Sequence, residues 1–271
     1  MQTKECVAVL TGAGSGIGRA LASALAQSGC HLALADVNAV ALAETAAQVR
    51  ALGVRVSEHT LDVADRSAVA ALPDAVIAAH GQVDLLINNA GVALGGTFDQ
   101  VSVENFDWLM RINFDAVVTM CRAFLPLLRQ RPEARIVNLS SLFGLITPAG
   151  QTAYCASKFA VRGFSNALRL ELNDSNVGVT VVHPGGVATA IATSARPAEG
   201  SSEAGQARKL ARAKRLLRMP PARAAEIILR GIERNKSRVI VGNDALILSW
   251  LERLMPVSYW RLLPGLASNN D

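Results

Sequence analysis

From Cys6 to about residue 190, short runs of aliphatic and β-branched residues alternate with longer segments rich in alanine and leucine. That alternation is the mark of repeated βαβ units, which assemble into a parallel sheet. The apolar runs predict strands over residues 6–10, 31–36, 54–61, 83–88, 135–140 and 177–183, with a last strand over 238–241. Helices are predicted over 16–28, 39–52, 102–130, 152–173 and 222–234. The pattern changes twice. Residues 190–221 begin small and polar and end in the basic stretch Q-A-R-K-L-A-R-A-K-R-L-L-R, which predicts a connection followed by an amphipathic helix. Residues 243–271 are apolar around most of a helix and are broken at Pro256.

At 271 residues the chain accommodates one large α/β domain with a buried core. Hydrophobic residues make up 51% and charged residues 18%, which suits a sheet covered on both faces and excludes a disordered chain. A nucleic-acid binder is not expected: the net charge of +5 is modest, aromatics are 4%, and the basic residues cluster only between Arg208 and Arg218. Cys6, Cys30, Cys121 and Cys155 have neither disulfide-framework nor metal spacing, so reduced thiols and no metal site are expected. The first residues run straight into a strand pattern without a signal-peptide profile, which points to a cytoplasmic protein.

Candidate chemistry begins with Y-C-A-S-K. Four residues of helix put Tyr154 and Lys158 on one face, where an ammonium can favour the phenolate of a neighbouring tyrosine. From an ordinary pKa of about 10, bringing the phenol near 7 requires about 4 kcal/mol, which is expected of one desolvated cation together with a cationic cofactor. The second motif, T-G-A-G-S-G-I-G, follows the first strand and opens a helix. In that setting Gly12 permits the tight turn, Gly16 and Gly18 permit close approach to a pyrophosphate, and the helix N-terminus around Ser15 and Ile17 favours negative charge. Asp36 closes the second strand where a carboxylate can hold ribose hydroxyls and repel a 2′-phosphate. Neither Ser15 nor Val37 supplies a compensating cation, so NAD is favoured over NADP. Asp62 and Val63, at the third strand's end, are placed for adenine contact. Asn89, Ala90 and Gly91, after the fourth strand, can serve the cofactor or satisfy loop backbone. His31, His59, His80 and His183 show no triad or metal spacing and read as structural.

T-G-A-G-S-G-I-G, N-N-A-G, the serine of N-L-S-S, Y-C-A-S-K and P-G-G-V-A-T occur in an order and spacing that resemble the short-chain dehydrogenase/reductase family. The resemblance covers about residues 7–191. It implies a Rossmann-like, doubly wound domain, a nicotinamide cofactor, a homodimer or homotetramer, and a tetrad of Asn113, Ser141, Tyr154 and Lys158. In that reading Tyr154 exchanges a proton with an alcohol or ketone, Lys158 lowers its pKa, Ser141 holds the substrate oxygen, and Asn113 links Lys158 to solvent. Pro184, Gly185, Gly186, Val187 and Thr189 would meet the carboxamide, Thr189 by its hydroxyl and Val187 by its backbone. The tail resembles a bacterial subgroup with a P-G-G-[IV] segment and the closing pattern G-x-D-A…R-L-x-P-x-x-Y-x-x-L.

The expected activity is hydride transfer between NAD and a secondary alcohol or ketone. An apolar substrate is suggested by Leu142, Phe143 and Leu145 beside Ser141. The alternatives are an NADP-dependent ketoreductase and a non-catalytic dinucleotide sensor. Residues 190–221 are expected to form a lid over the substrate or a surface insertion. Arg208, Lys209, Arg212, Lys214, Arg215 and Arg218 are expected to form a solvated face. In the tail, Leu246, Ile247, Trp250, Leu251, Leu254 and Met255 leave a polar strip around Ser249, Glu252 and Arg253. Packing of that helix on its own domain or a partner subunit is favoured over peripheral membrane contact.

Overall fold

The computed structural model describes residues 1–197 and 203–263. Seven strands form one parallel sheet: β1 (Val7–Thr11), β2 (His31–Asp36), β3 (Val56–Thr60), β4 (Leu85–Asn88), β5 (Ala134–Leu139), β6 (Val177–Pro184) and β7 (Arg238–Val241). Their order is β3-β2-β1-β4-β5-β6-β7. Such an order reverses direction between β1 and β4, and the crevice outside the carboxyl ends at that point is where open α/β sheets bind ligands. The Rossmann-like expectation holds, and each predicted strand is present.

Alternation along the strands divides the core. On β1, Ala8 and Leu10 face α1 (Gly16–Gln27), α2 (Ala39–Arg50) and α8 (Pro221–Glu233), whose Leu21, Leu25, Leu42, Val49, Ile228 and Ile232 complete that layer. Val9 faces the opposite layer, made by α3 (Arg66–His80), α5 (Ala116–Leu128) and α6 (Thr152–Glu171). Successive strand residues point to opposite faces, so one apolar run fills two layers.

The segment predicted as a single helix over 102–130 is interrupted. It comprises α4 (Val103–Met110), a π-helical turn (Arg111–Asp115) and α5. One extra residue per turn is a local device common at functional sites, and here it carries Asn113 fully inside the protein. Beyond β6, α7 (Glu203–Leu216) precedes α8, and α9 (Asn243–Leu254) follows β7. Among the described residues, no helix is long and apolar enough to cross a membrane. The four cysteines are unpaired; burial holds Cys6, Cys121 and Cys155 at about 11 to 12 and pushes Cys30 higher still.

Candidate active site

The glycine turn after β1 is shaped by close approach. Gly12 takes φ +65°, and a Cβ on it would lie 2.8 Å from Asn89 Nδ2 and 2.9 Å from the Ala90 main chain. A Cβ on Gly18 would overlap the carbonyl of Gly12. Asn89 fastens the turn: its Nδ2 donates to Thr11 O at 2.9 Å and Gly12 O at 3.0 Å, while Thr11 Oγ1 accepts from the amides of Asn89 and Ala90. Of the two readings of Asn89, its side chain therefore takes the backbone-satisfying one.

Ser15 caps α1 with extended backbone and makes no side-chain cap bond, so its hydroxyl stands exposed at a helix start that has no acidic residue in its first turn. Ile17 is half-buried behind it. Across the crevice, Thr189 Cγ2 comes to 3.1 Å from where a Gly16 Cβ would stand, so the segment after β6 closes over the turn. Thr189 leaves its hydroxyl without a side-chain cap bond. An empty cradle bordered by a helix N-terminus and a free hydroxyl fits a dinucleotide diphosphate.

Asp36 ends β2 half-buried, with Oδ2 accepting from Gly14 N at 2.8 Å and Oδ1 from Asn38 N at 2.9 Å. The carboxylate thus holds the turn and keeps lone pairs for a ribose. Arg19, which the sequence reading did not single out, lies on the other side of Gly14. Its guanidinium donates to Gly14 O at 2.6 Å and pairs with Glu44 at 2.9 Å. Asp62 is exposed and accepts from Ala64 N at 2.9 Å. The Val63 side chain turns into the core with Ala90, leaving only its main chain for the expected adenine contact.

In the loop after β6, Pro184 is buried and Gly185 N is donated to Val241 O at 2.8 Å. Val187 donates its N–H back to Gly185 O at 2.9 Å and buries its side chain. Its carbonyl is the group left for a carboxamide. Asp244 accepts from Gly186 N at 2.7 Å and so ties this loop to α9.

The tetrad residues converge on the carboxyl ends of β4 and β5. Tyr154 and Lys158 project from the first turns of α6, and Ser141 caps the short turn after β5, accepting from Phe143 N at 3.1 Å. The Tyr154 ring packs edge-on against Phe143 with centroids 6.2 Å apart and rests against the cluster of Leu94, Leu109 and Ala153. Ser141 adjoins the Tyr154 phenol, where its hydroxyl favours the phenolate. Ser140 is not an alternative partner, because its buried hydroxyl donates to Lys158 O at 2.8 Å. Asn113 is committed through its side chain: Oδ1 accepts from Val92 N at 2.8 Å, and Nδ2 donates to Val92 O at 3.0 Å and Ser157 Oγ at 3.2 Å. Only its main chain remains for a link to solvent. Gly91 lies beside both; a Cβ there would be 3.2 Å from Asn113 Oδ1 and 3.4 Å from Lys158 Nζ.

Burial raises the Tyr154 pKa to about 12 and outweighs the lowering by the neighbouring Ser141 hydroxyl; the expected lowering counts on a cationic cofactor together with Lys158. Lys158 is buried and donates its ammonium to Leu139 O at 3.1 Å, with Nζ 5.7 Å from the Tyr154 ring centroid. Burial also pulls Lys158 down to about 8. Desolvation disfavours both charged forms, and at this separation it prevails over the attraction between them.

The short chain dehydrogenase family model matches residues 6–200. The chain belongs to the short-chain dehydrogenase/reductase family. It is 45% identical over 259 residues to SadH of Mycobacterium tuberculosis, covering 95% of this chain and 93% of that one. Dehydrogenase/reductase SDR family member 7B of Bos taurus is 31% identical over 97% of this chain and 82% of its own. Among solved structures, a short chain dehydrogenase/reductase from Burkholderia phymatum in complex with NAD shares 31% identity at a TM-score of 0.87, covering 100% of this chain and 98% of that one. A metagenomic short-chain oxidoreductase in complex with NADP shares 28% at 0.72, covering 89% and 98%. The protein is accordingly an NAD(P)-dependent oxidoreductase of this family, acting on a small molecule.

Three participants escaped the sequence reading. Ser157 supports Asn113 and donates to Tyr154 O at 2.8 Å. His183, read as structural, is fully buried and sets its Nδ1 2.9 Å from Ser141 O, underneath the serine. Arg196 stacks over Trp108 at 3.6 Å and donates to Asn105 Oδ1 at 3.1 Å. Only Ser157, which stands inside the Y-C-A-S-K motif, offered a local signal; the others are long-range contacts.

Proposed function

We propose that the enzyme interconverts a secondary alcohol and a ketone of apolar character with NAD, and that Tyr154 exchanges the proton. What supports this reading is the placement of Ser141 beside the Tyr154 phenol, with the buried Lys158 ammonium 5.7 Å from the phenol ring, at the carboxyl ends of β4 and β5. When bound, the nicotinamide supplies a hydride acceptor or donor and, in its oxidised form, a positive charge.

In reduction the phenol, neutral with a pKa of about 12, donates its proton to the forming alkoxide. Ser141 donates a hydrogen bond to the same oxygen as charge develops there. In oxidation Tyr154 has to act as phenolate. Burial opposes that form, while the Lys158 ammonium and the positive nicotinamide would favour it. Leu142, Phe143, Leu94 and Leu109 around the phenol favour an apolar substrate.

NAD is favoured by the Asp36 carboxylate, which is held in place by Gly14 and Asn38 and would repel a 2′-phosphate. Arg19 is the observation that favours NADP, yet its charge is matched by Glu44. The segment after Thr189 acts as a lid, fastened by Arg196 through the Trp108 stack and through main-chain bonding to Ala93. Residues 198–202 of that segment lie outside the described residues, as do the side chains of Lys209, Arg212 and Lys214 in the predicted solvated face. Screening secondary alcohols for growth of reduced-cofactor absorbance, with both dinucleotides and with Asp36→Ala alongside, tests the reading. Turnover with NAD that Asp36→Ala shifts toward NADP supports it; unshifted preference for NADP in the unaltered chain overturns the cofactor assignment.

A further inference from the structure

The tail helix packs Leu251 and Met255 inward and leaves the rest of its apolar surface outward. Ser249, expected on a solvent-facing polar strip, is buried and accepts from Arg238 at 2.8 Å. Leu246, Ile247, Trp250 and Leu254 face outward with relative exposures of 45, 66, 56 and 74%. At 3.6 residues per turn these four span one stripe about 100° wide. Exposed Val257, Trp260 and Leu262 continue it in sequence. With two half-exposed tryptophans of 150–250 Å² each and five aliphatic side chains, the apolar surface is on the order of 500 Å², the upper end of what monomers leave in water.

Basic side chains predominate around this surface. Between Asn243 and Leu263 the sequence carries Asp244, which is held by the Gly186 amide, with Glu252, Arg253 and Arg261. Glu252 is half-buried, whereas both arginines are exposed and lie over the two tryptophans, Arg253 5.8 Å from Trp250 and Arg261 5.6 Å from Trp260. The end of α7 adjoins the start of α9 through Gly186, whose carbonyl accepts from Arg218 N and whose N–H donates to Asp244. That junction adds exposed Leu216, Arg215 and Arg218. From Ala204 to Arg218 the sequence holds six basic residues and no acidic one.

We propose that α9, the turn after it and the end of α7 form a docking surface for an anionic lipid bilayer. Tryptophan and leucine on an outward helical stripe, bordered by arginine, are the composition of a helix lying in the interface of a membrane. Anionic headgroups attract the flanking basic side chains. A second copy of the chain is the less favourable occupant, because a self-paired surface would bring Arg215, Arg218, Arg253 and Arg261 of both copies together against only Asp244, already bonded to Gly186, and half-buried Glu252. The surface is joined to the loop after Ser141: Tyr259 packs with Leu142 and Leu145, and its hydroxyl lies 2.8 Å from Thr147 Oγ1.

The test is flotation of the full chain with vesicles of phosphatidylglycerol mixed into phosphatidylcholine, against phosphatidylcholine alone. The expected result is flotation with the anionic vesicles, reduced about tenfold by Arg215→Gln with Arg218→Gln and abolished by Trp250→Ser with Leu254→Ser. If either double variant misfolds, quenching of tryptophan emission by brominated phosphatidylglycerol in the unaltered chain gives the same reading. Absence of both flotation and quenching overturns the proposal. So does sedimentation showing a dimer that Trp250→Ser with Leu254→Ser converts to monomer.

Discussion

The ammonium of Lys158 is hydrogen-bonded to the main-chain carbonyl of Leu139 at 3.1 Å, so the cation beneath Tyr154 is anchored to the end of β5. Its charged form is costly there. With the pKa lowered by burial to about 8, the folded chain binds fewer protons than the unfolded one between about 8 and 10.5. Stability therefore rises with pH through that window, and the full penalty, about 3 kcal/mol, is present below it. Lys158→Met is expected to stabilise the fold by about 2 kcal/mol at neutral pH while abolishing turnover, the lost bond to Leu139 offsetting part of the gain. Urea unfolding at pH 7 and again above pH 10 checks this: the gain should be present in the first and absent in the second.

A second buried base acts in acid. Burial lowers His183 to about 4, so the unfolded chain takes up a proton from pH 6.5 downward while the folded one stays neutral. Stability is then lost as pH falls from about 6.5 toward 4, by up to about 3 kcal/mol. His183→Gln, which can still donate to Ser141 O, should flatten that slope. Thermal melts of both proteins from pH 7 to 4 measure it, and equal slopes would remove His183 from the account.

How much of this was legible in the sequence follows from the range of each interaction. The strands and the glycine turn were legible because local alternation and a local steric need encode them; Gly18 has no room for a side chain, and the motif shows it. The π-helical turn at Asn113 was not legible, since its cause is the distant main chain of Val92 that the asparagine grips. The burial of the phenol was not legible either, because spacing reports proximity to Lys158 and says nothing of desolvation. For α9 the apolar count was correct and the place of Ser249 was not: the Arg238 bond draws it inward.

The raised phenol pKa makes the two directions of reaction respond differently to pH. As proton donor, Tyr154 is in its working state throughout the neutral range, so ketone reduction should be flat from about pH 6 to 8 and fall beyond that as Lys158 loses its proton. As base, it is in the minority form, so alcohol oxidation should climb with pH, up to about tenfold per unit. Profiles of kcat/KM in both directions test this; a flat oxidation profile would place the base elsewhere.

Arg196 fastens the segment beyond Thr189 by its stack on Trp108 and its bond to Asn105. A cation–π contact of this kind contributes about 0.5 to 2 kcal/mol. Arg196→Ala is expected to raise KM for the alcohol about 3- to 10-fold while leaving NAD affinity unchanged. Steady-state kinetics together with fluorescence titration of the reduced cofactor separate the two effects, and a parallel loss of cofactor affinity would refute a role confined to the substrate side.

The most direct measurement compares Tyr154→Phe with the unaltered enzyme for turnover and for binding of reduced cofactor. The substitution keeps the ring against Phe143 and removes only the phenol hydroxyl. Turnover should fall by at least about a thousandfold with cofactor affinity within about twofold. Residual turnover near the unaltered rate, with the cofactor still bound, would contradict the assignment of Tyr154 as the group that moves the proton.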